Sequence, residues 1–205
     1  MALVSIPLTA LSSPPPGVGR GAPVNLLDLD LPGYETLVRD LGHKAFHGRN
    51  LFKWVHKHGV TDFGAMTDLS LRLRSQLQEV AEIRPPQLAE EWPSADGTRK
   101  WVLELGDGQR VETVHIPVLI PQERRHTLCV SSQVGCALDC AFCATARQGF
   151  NRNLSTGEII GQVWQAARLL GEAPSNIVMM GMGEPLANFD NLVKALERIQ
   201  RVIAR

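Results

Sequence analysis

Three cysteines, Cys136, Cys140 and Cys143, stand within eight residues of the chain at the spacing C-x-x-x-C-x-x-C. Thiolates spaced in this way bind zinc or an iron–sulfur cluster. A structural zinc site needs four protein ligands, so Cys129 or His126 would have to provide the fourth. A cubane iron–sulfur cluster has four iron corners, and three cysteines leave one iron without a protein ligand. This second arrangement gives a chemical reason for a run that ends at the third cysteine.

An iron without a protein ligand can bind the amino and carboxylate groups of S-adenosylmethionine and place the sulfonium beside a reducing cluster. One electron then cleaves the sulfonium bond and produces a 5′-deoxyadenosyl radical, a reaction that belongs to the cofactor and that the protein positions. With Phe142 before the last cysteine, the motif resembles the signature of radical S-adenosylmethionine (SAM) enzymes. The resemblance implies a [4Fe–4S] cluster on the three cysteines, SAM as second cofactor and a cofactor contact at Phe142.

Two strand–helix units should position this loop. The segments TLCVSS at 127–132 and NIVMM at 176–180 predict buried strands, and each is followed by a loop and a helix. The first helix opens on the capping box Ser155-x-x-Glu158. Such an order predicts a parallel sheet, in which ligands gather at the carboxyl ends of the strands. The cysteine loop and the loop 181–185 are therefore expected on the same side of the sheet.

The second loop contains Gly183-Glu184-Pro185. Taken alone, this sequence is typical of a tight turn before a helix. It also resembles the second SAM-binding motif of the same superfamily, whose backbone and glutamate hold the methionine amino group. Because the cysteine motif lies one strand–helix unit upstream, we favour cofactor binding by Gly183 and Glu184.

The rest of the chain divides into segments of different pattern. A helical pattern with a Ser70 cap covers most of 25–85, and Asp96-Gly97 and Asp107-Gly108 separate apolar runs as in antiparallel hairpins. Two parallel strands bury little surface alone, so they should pack on the hairpins or begin a longer fold. The predicted order is a flexible leader at 1–24, a helical accessory domain at 25–85, a β meander and linker at 86–120, and the first βα units at 121–205.

Composition excludes few functions. The chain has 205 residues, 44% of them hydrophobic, and 21 acidic against 21 basic residues, so net charge does not indicate a partner. No Lys or Arg precedes Arg20, as a secretory signal would require, and no apolar run has the length of a membrane span. The cysteines are clustered rather than spread as in a disulfide framework. These features predict a soluble, cytoplasmic protein without a membrane partner.

Longer strings narrow the resemblance: ETVHIP, TLCVSSQVGC, CATARQGFNRNLSTGEIIGQVW and MMGMGEPLANFDN. They resemble the RlmN family of dual-specificity methyltransferases, which modify adenosine C2 in 23S rRNA and certain tRNAs, and the resemblance runs from about Val24 to Arg205. It implies an α/β fold, with an incomplete radical-SAM (β/α)6 partial barrel preceded by the helical accessory domain and the short antiparallel β meander. It also implies a monomer that receives electrons from a donor such as flavodoxin.

The family reaction gives roles to two further residues. Family members methylate a cysteine near their carboxyl end, abstract a hydrogen from that methyl group and add the resulting radical to C2 of adenine. By this resemblance, Cys129 assists the resolution of the protein–RNA adduct and ends in a disulfide with the methyl-carrying cysteine, while Glu112 accepts a proton. The alternatives are a small buried cysteine on a strand and a solvent-facing glutamate in the meander.

A basic stretch at 43–58 has four Lys or Arg, four His and no acidic residue. On a helix, Arg49, Lys53 and Lys57 share one face that suits phosphate contact. Alone, such a pattern is more typical of a solvated face, but the resemblance implies a domain that holds folded RNA. Arg147 and Arg152, just beyond the cysteines, are further candidates for RNA contact.

No cysteine follows Cys143, so the methyl-carrying cysteine of the family is not in this chain. We therefore expect that the chain alone does not methylate RNA. One alternative is a non-catalytic RNA- or metal-binding remnant that holds zinc through its four cysteines. Another radical enzyme, such as a glycyl-radical activase, would explain the cysteines but not TLCVSSQVGC or QGFNRNL. Within the methyltransferases, C8 of adenine is the alternative target atom.

Overall fold

A computed structural model of the protein describes residues 23–118, 125–138 and 140–203. Residues 201–203 are described by their backbone alone. The leader predicted at 1–24 lies almost entirely outside the described residues, and the other domain limits stay predictions. Within the described residues the helices are α1 (Leu31–Asp40), α2 (Phe46–His56), α3 (Leu71–Val80), α4 (Thr156–Leu170) and α5 (Phe189–Ile203). None of them is long and apolar enough to cross a bilayer.

Nine short strands are described: β1 (Val24–Asn25), β2 (Ala81–Glu82), β3 (Gln87–Pro93), β4 (Arg99–Glu104), β5 (Arg110–Pro117), β6 (His126–Cys129), β7 (Gln133–Gly135), β8 (Phe150–Asn153) and β9 (Asn176–Val178). The largest sheet has the order β3-β4-β5-β6-β9. Its first four strands are antiparallel neighbours, whereas β9 runs parallel to β6. The predicted hairpins and the parallel strand pair are therefore confirmed, and they form one sheet.

The helical unit begins its helices where the sequence supplies caps. Asp30 accepts a hydrogen bond from the backbone of Gly33 at the start of α1, and Ser70 accepts one from Leu73 at the start of α3. The apolar faces of the three helices bury one core that includes Tyr34, Leu51 and Leu77. Burial lowers the pKa of His56 to about 4, so this histidine is neutral beside the Tyr34 hydroxyl at 3.3 Å.

The meander and the βα units share a second core. Trp101 and Val111 from the meander pack with Leu128 of β6 and with Ile159 and Val163 of α4. This shared core covers the parallel strand pair, which would be too small to bury an apolar face alone. Of the two arrangements expected for the pair, packing on the meander is the one observed.

Among the described residues, three side-chain hydrogen bonds join the helical unit to the βα units. The Asp28 carboxylate accepts from the backbone N–H of Gly157 at 2.7 Å, which caps the amino end of α4. Trp164 donates to the carbonyl of Val55 at 3.1 Å, and the buried guanidinium of Arg198 donates to the carbonyl of Leu27 at 3.1 Å. Because each bond involves a main-chain group, the relative placement of the two units depends on backbone positions.

We expect Gly48→Ala to lower the free energy of unfolding by about 1–3 kcal/mol, the usual effect of overpacking. A Cβ at Gly48 would lie 2.7 Å from the backbone of Glu35, which cannot yield as a flexible side chain does. Urea denaturation measures the change. Gly106→Ala is the matched control, because its Cβ would meet the end of the Arg84 side chain. Equal midpoints for Gly48→Ala and the wild type would contradict close packing of α1 on α2.

Candidate functional site

The candidate site lies where β6 and β9 end on the same edge of the sheet. Cys129 is the last residue of β6 and pairs in register with Val178, the last residue of β9. Its side chain is half-buried, and burial raises the pKa of the thiol, although a backbone hydrogen bond from Met180 acts in the opposite direction. Cys129 is therefore a protonated thiol at neutral pH, next to the loop that follows β9.

A hairpin missed by the sequence analysis carries the cysteine loop. Strands β7 and β8 pair in antiparallel register, and the loop between them contains Cys136, Cys140 and Cys143. At its base, the N–H of Cys136 donates to the carbonyl of Gly149 at 3.1 Å. Gly135 has a φ of 72°, and a Cβ there would lie 1.8 Å from the same carbonyl oxygen. The hairpin can therefore close only with glycine at 135.

The three loop cysteines are half-buried and free. Backbone hydrogen bonds from Ala146 and Thr145 lower the pKa of the Cys143 thiol, which favours the thiolate that metals require. Within the described residues, which omit Asp139, no three His, Cys, Asp or Glu side chains are gathered as a metal site. The three thiols have the sequence spacing of a three-cysteine cluster, but in the described residues they are not gathered around one point. Phe142 is 94% exposed in the same loop.

The loop after β9 wraps around the segment that leaves β6. The carbonyl of Met182 accepts from the backbone N–H of Ser132 at 2.8 Å, and the N–H of Glu184 donates to the Gln133 carboxamide at 2.9 Å. Gly183 has a φ of 95°, and a Cβ there would lie 2.5 Å from the Gln133 side chain. The half-buried Glu184 carboxylate accepts from the N–H of Leu186 at 3.0 Å. The GEP motif thus forms a glycine-dependent turn against the base of the cysteine hairpin.

Glu112 reaches the same edge from β5. Its carbonyl accepts a hydrogen bond from the Ser131 hydroxyl at 2.6 Å, and its N–H points to the Met182 sulfur at 3.4 Å. Its carboxylate forms an ion pair with Lys100 at 3.0 Å, in which both side chains are nearly half exposed. The structure therefore brings Glu112, Cys129 and the loop 181–185 together around the base of the cysteine hairpin.

The two arginines predicted near the cysteines differ in environment. Arg147 is exposed, whereas the Arg152 side chain is 14% exposed and forms a two-bonded ion pair with Glu158 at 2.7 and 2.8 Å. Arg152 also contacts Asp107 at 2.8 Å. These partners raise the pKa of the guanidinium, which burial alone would lower. Arg152 therefore fastens β8 to α4 and to the β4–β5 turn, and its charge is already paired.

The other basic candidates lie at a distance from the cysteines. Arg49, Lys53 and Lys57 are exposed, and Arg49 pairs with Glu35 of α1 at 3.0 Å. Lys53 and Lys57 line a groove of about 530 Å³ together with Arg168, near the carboxyl end of α4. The cysteine hairpin precedes the amino end of α4. At 1.5 Å per residue, the helix between Ser155 and Arg168 spans about 20 Å.

Two parts of the chain match known protein families. The family described as "Ribosomal RNA large subunit methyltransferase N-terminal domain" matches residues 24–83, and "Radical SAM superfamily" matches residues 130–204. Dual-specificity RNA methyltransferase RlmN from Pseudomonas putida is 51% identical over 181 residues, and that from Stenotrophomonas maltophilia is 56% identical over 181 residues. These alignments cover 85% and 84% of this chain. The chain is similar to part of the RlmN methyltransferases.

The solved structures agree with the expected RlmN fold. A crystal structure of a radical SAM methyltransferase from Sphaerobacter thermophilus superposes with a TM-score of 0.76 at 38% identity, and the match covers 87% of this chain and 52% of that one. The partial radical-SAM fold predicted from the sequence is thus confirmed. The chain spans 46% and 44% of the lengths of the two RlmN relatives, slightly under half.

The disulfide that the RlmN resemblance implied for Cys129 is not supported, since all four cysteines are free. Sequence reasoning also missed the polar residues beneath the site, Ser131 and Gln162, which are fully buried. The sequence pattern around these two residues gave only a weak indication of their role. Ser131 follows an apolar strand, and Gln162 interrupts an otherwise apolar helix face, but their partners lie 19 to 51 residues away.

In a variant with Cys136, Cys140 and Cys143 replaced by serine, Cys129 is the remaining thiol of this chain. We expect its iodoacetamide reaction to show a pH midpoint above about 8.5, the value of a free cysteine, because burial disfavours the thiolate. Mass spectrometry of the modified peptide measures the rate at each pH. In urea that unfolds the chain, the midpoint should return to about 8.5. A native midpoint at or below the unfolded one would contradict the buried thiol.

Proposed function

We propose that this chain provides the cluster-binding, SAM-binding and RNA-binding part of a radical SAM methyltransferase that acts on C2 of adenosine in 23S rRNA and tRNA. One observation carries the proposal. The cysteine hairpin, the GEP loop, Cys129 and Glu112 meet at the carboxyl edge of β6 and β9, although they come from four separate parts of the chain. The RlmN relatives support the reaction and its substrates, because they bear the name of dual-specificity RNA methyltransferases.

Each predicted residue has a proposed task at this edge. Cys136, Cys140 and Cys143 would hold a [4Fe–4S] cluster, and Gly183 and Glu184 would hold the methionine part of SAM beside Phe142. When bound, the cluster and SAM would supply the one-electron chemistry that generates a radical, with electrons from a donor such as flavodoxin. The turn that includes Gly183 brings the backbone close to the cysteine hairpin, as cofactor binding at this place requires.

Cys129 would assist the resolution of the protein–RNA adduct, and Glu112 would accept a proton. The raised pKa of Cys129 keeps a proton on its sulfur at neutral pH, so the thiol can give that proton up when it acts. The Glu112 carboxylate, which Lys100 contacts at 3.0 Å, would accept a proton. The methyl-carrying cysteine of the family is not among the four cysteines of this chain. We therefore propose cofactor binding, but not methylation, by this chain alone.

Anaerobic reconstitution with iron and sulfide tests the cluster and its cofactor. We expect the reduced chain to show the electron paramagnetic resonance signal of a cubane cluster, and this signal to change when SAM is added, because one iron has no protein ligand. Cys140→Ala should lose the signal. Cys129→Ala is the matched control and should keep it, since Cys129 lies on β6 outside the hairpin.

Two outcomes would contradict the proposal in different ways. A colourless chain that binds zinc and needs Cys129 to do so would favour the non-catalytic remnant. A cluster whose signal is unchanged by SAM would remove the cofactor-binding role of the GEP loop while leaving the cysteines as ligands.

We propose that Lys53 and Lys57 contact RNA phosphates, with Arg49 at the edge of that contact and Arg147 at a separate contact near the cysteine loop. The exposed lysines border one groove, whereas Arg49 shares its charge with Glu35. Arg152 is left out of this contact because two carboxylates already hold it.

Lys53→Ala combined with Lys57→Ala should weaken binding of tRNA and reduce the slope of log affinity against log salt by about 1 to 2, since each phosphate contact contributes roughly 0.7 to 0.9. Filter binding over a series of salt concentrations measures the slope. Lys194→Ala, an exposed lysine on α5, is the control and should leave the slope unchanged. An unaltered slope in the double variant would show that the groove does not contact RNA.

A further inference from the structure

A buried carboxamide lies beneath the candidate site, at the point where β5 and β6 separate. The register of these strands ends at Val114 and Cys129. Beyond this pair, Ser131 has no ladder partner on β5, and the side chain of Gln162 from α4 occupies the gap. Gln162 is fully buried, so its polar atoms must find partners inside the protein.

The Gln162 carboxamide makes the two backbone hydrogen bonds to Ser131 that a neighbouring strand would otherwise make. Its carboxamide oxygen accepts from the backbone N–H of Ser131 at 2.9 Å, and its nitrogen donates to the carbonyl of the same residue at 3.0 Å. The oxygen also accepts from the Thr113 hydroxyl at 2.9 Å. Because Ser131 presents one donor and one acceptor, the amide has a single orientation that satisfies both.

The side chain of Ser131 connects two parts of the site. Its hydroxyl donates to the carbonyl of Glu112 at 2.6 Å and accepts from the N–H of Met182 at 2.9 Å. Met182 in turn contacts the N–H of Glu112 through its sulfur at 3.4 Å. One fixed backbone residue therefore sets the distance between the β5 segment at Glu112 and the loop that contains the GEP motif.

We propose that Gln162 is a positioning residue, which acts through Ser131 to hold Glu112 and the loop 181–185 in the arrangement that binds SAM. The inference rests on the proposed function for its SAM-binding part. Gln162 itself lies beneath the site and contacts Ser131 and Thr113 rather than the GEP loop. Its effect on SAM binding is therefore indirect.

Gln162→Leu tests the proposal, because leucine has similar size and leaves both backbone groups of Ser131 without partners. In the cluster-loaded full chain, we expect about 10- to 100-fold weaker SAM binding, as when a group that orients a ligand is removed. Titration of the electron paramagnetic resonance change with SAM measures the affinity. Amide hydrogen exchange, followed by NMR, should become faster at Ser131 and Met182.

Thr113→Val is the matched control. It removes the hydrogen bond from the Thr113 hydroxyl to the Gln162 oxygen but keeps the two bonds to Ser131 and the bond to the Glu158 carbonyl. We expect it to lower the unfolding midpoint without weakening SAM binding or hastening exchange at Met182. Should Gln162→Leu fail to fold, Gln162→Glu keeps the shape of the side chain and replaces the N–H donor with a carboxylate oxygen that repels the Ser131 carbonyl, and the same measurements apply.

The outcomes separate this inference from the proposed function. Unchanged SAM binding and unchanged exchange in the Gln162 variants would overturn the inference and leave the proposed function intact. Equal losses in the Thr113 and Gln162 variants would also overturn it, because a general loss of stability would then explain both. If the wild type does not bind SAM, the proposed function fails, and exchange at Met182 alone decides whether Gln162 holds the loop.

Discussion

The parallel pairing of β6 with β9 is the constraint on which the rest of the structure depends. Only three register pairs join them, from Thr127 with Asn176 to Cys129 with Val178. Because parallel strands end on the same edge, this pairing places two distant loops side by side. The meander extends the sheet on one side, and α4 covers the face. A short ladder can hold the site because its flanks share one core with the meander and α4.

Local patterns in the sequence predicted much of this arrangement. The capping box at Ser155 forms as expected, with Glu158 bonded to the backbone of Ser155 at 2.8 Å. The Asp-Gly turns have glycines at φ of 81° and 80°, which their hairpins require. Alternation of strand and helix gave the parallel pair and the edge on which both loops lie. All of these signals act within a few residues.

Features that depend on distant contacts were not predictable in this way. The hairpin of β7 and β8 joins strands of three and four residues across the cysteine loop, and such runs have no period to detect. Arg152 was predicted as a candidate for RNA contact, yet Asp107, 45 residues away, contributes to its pairing. Gln162 looks like an ordinary helix residue until Ser131 is placed beside it. In each case the partner comes from another element, so tertiary packing decides the role of the residue.

Helix α4 has a different neighbour at each end, and its length therefore sets the distance between the two. Its amino end follows the cysteine hairpin, and the Asp28 carboxylate fixes it to the helical unit. Its carboxyl half borders the lysine groove. If RNA binds as proposed, a molecule that contacts both places must span the helix of about 20 Å between them. A folded RNA is long enough to do so, whereas an isolated nucleoside could reach only one of the two places.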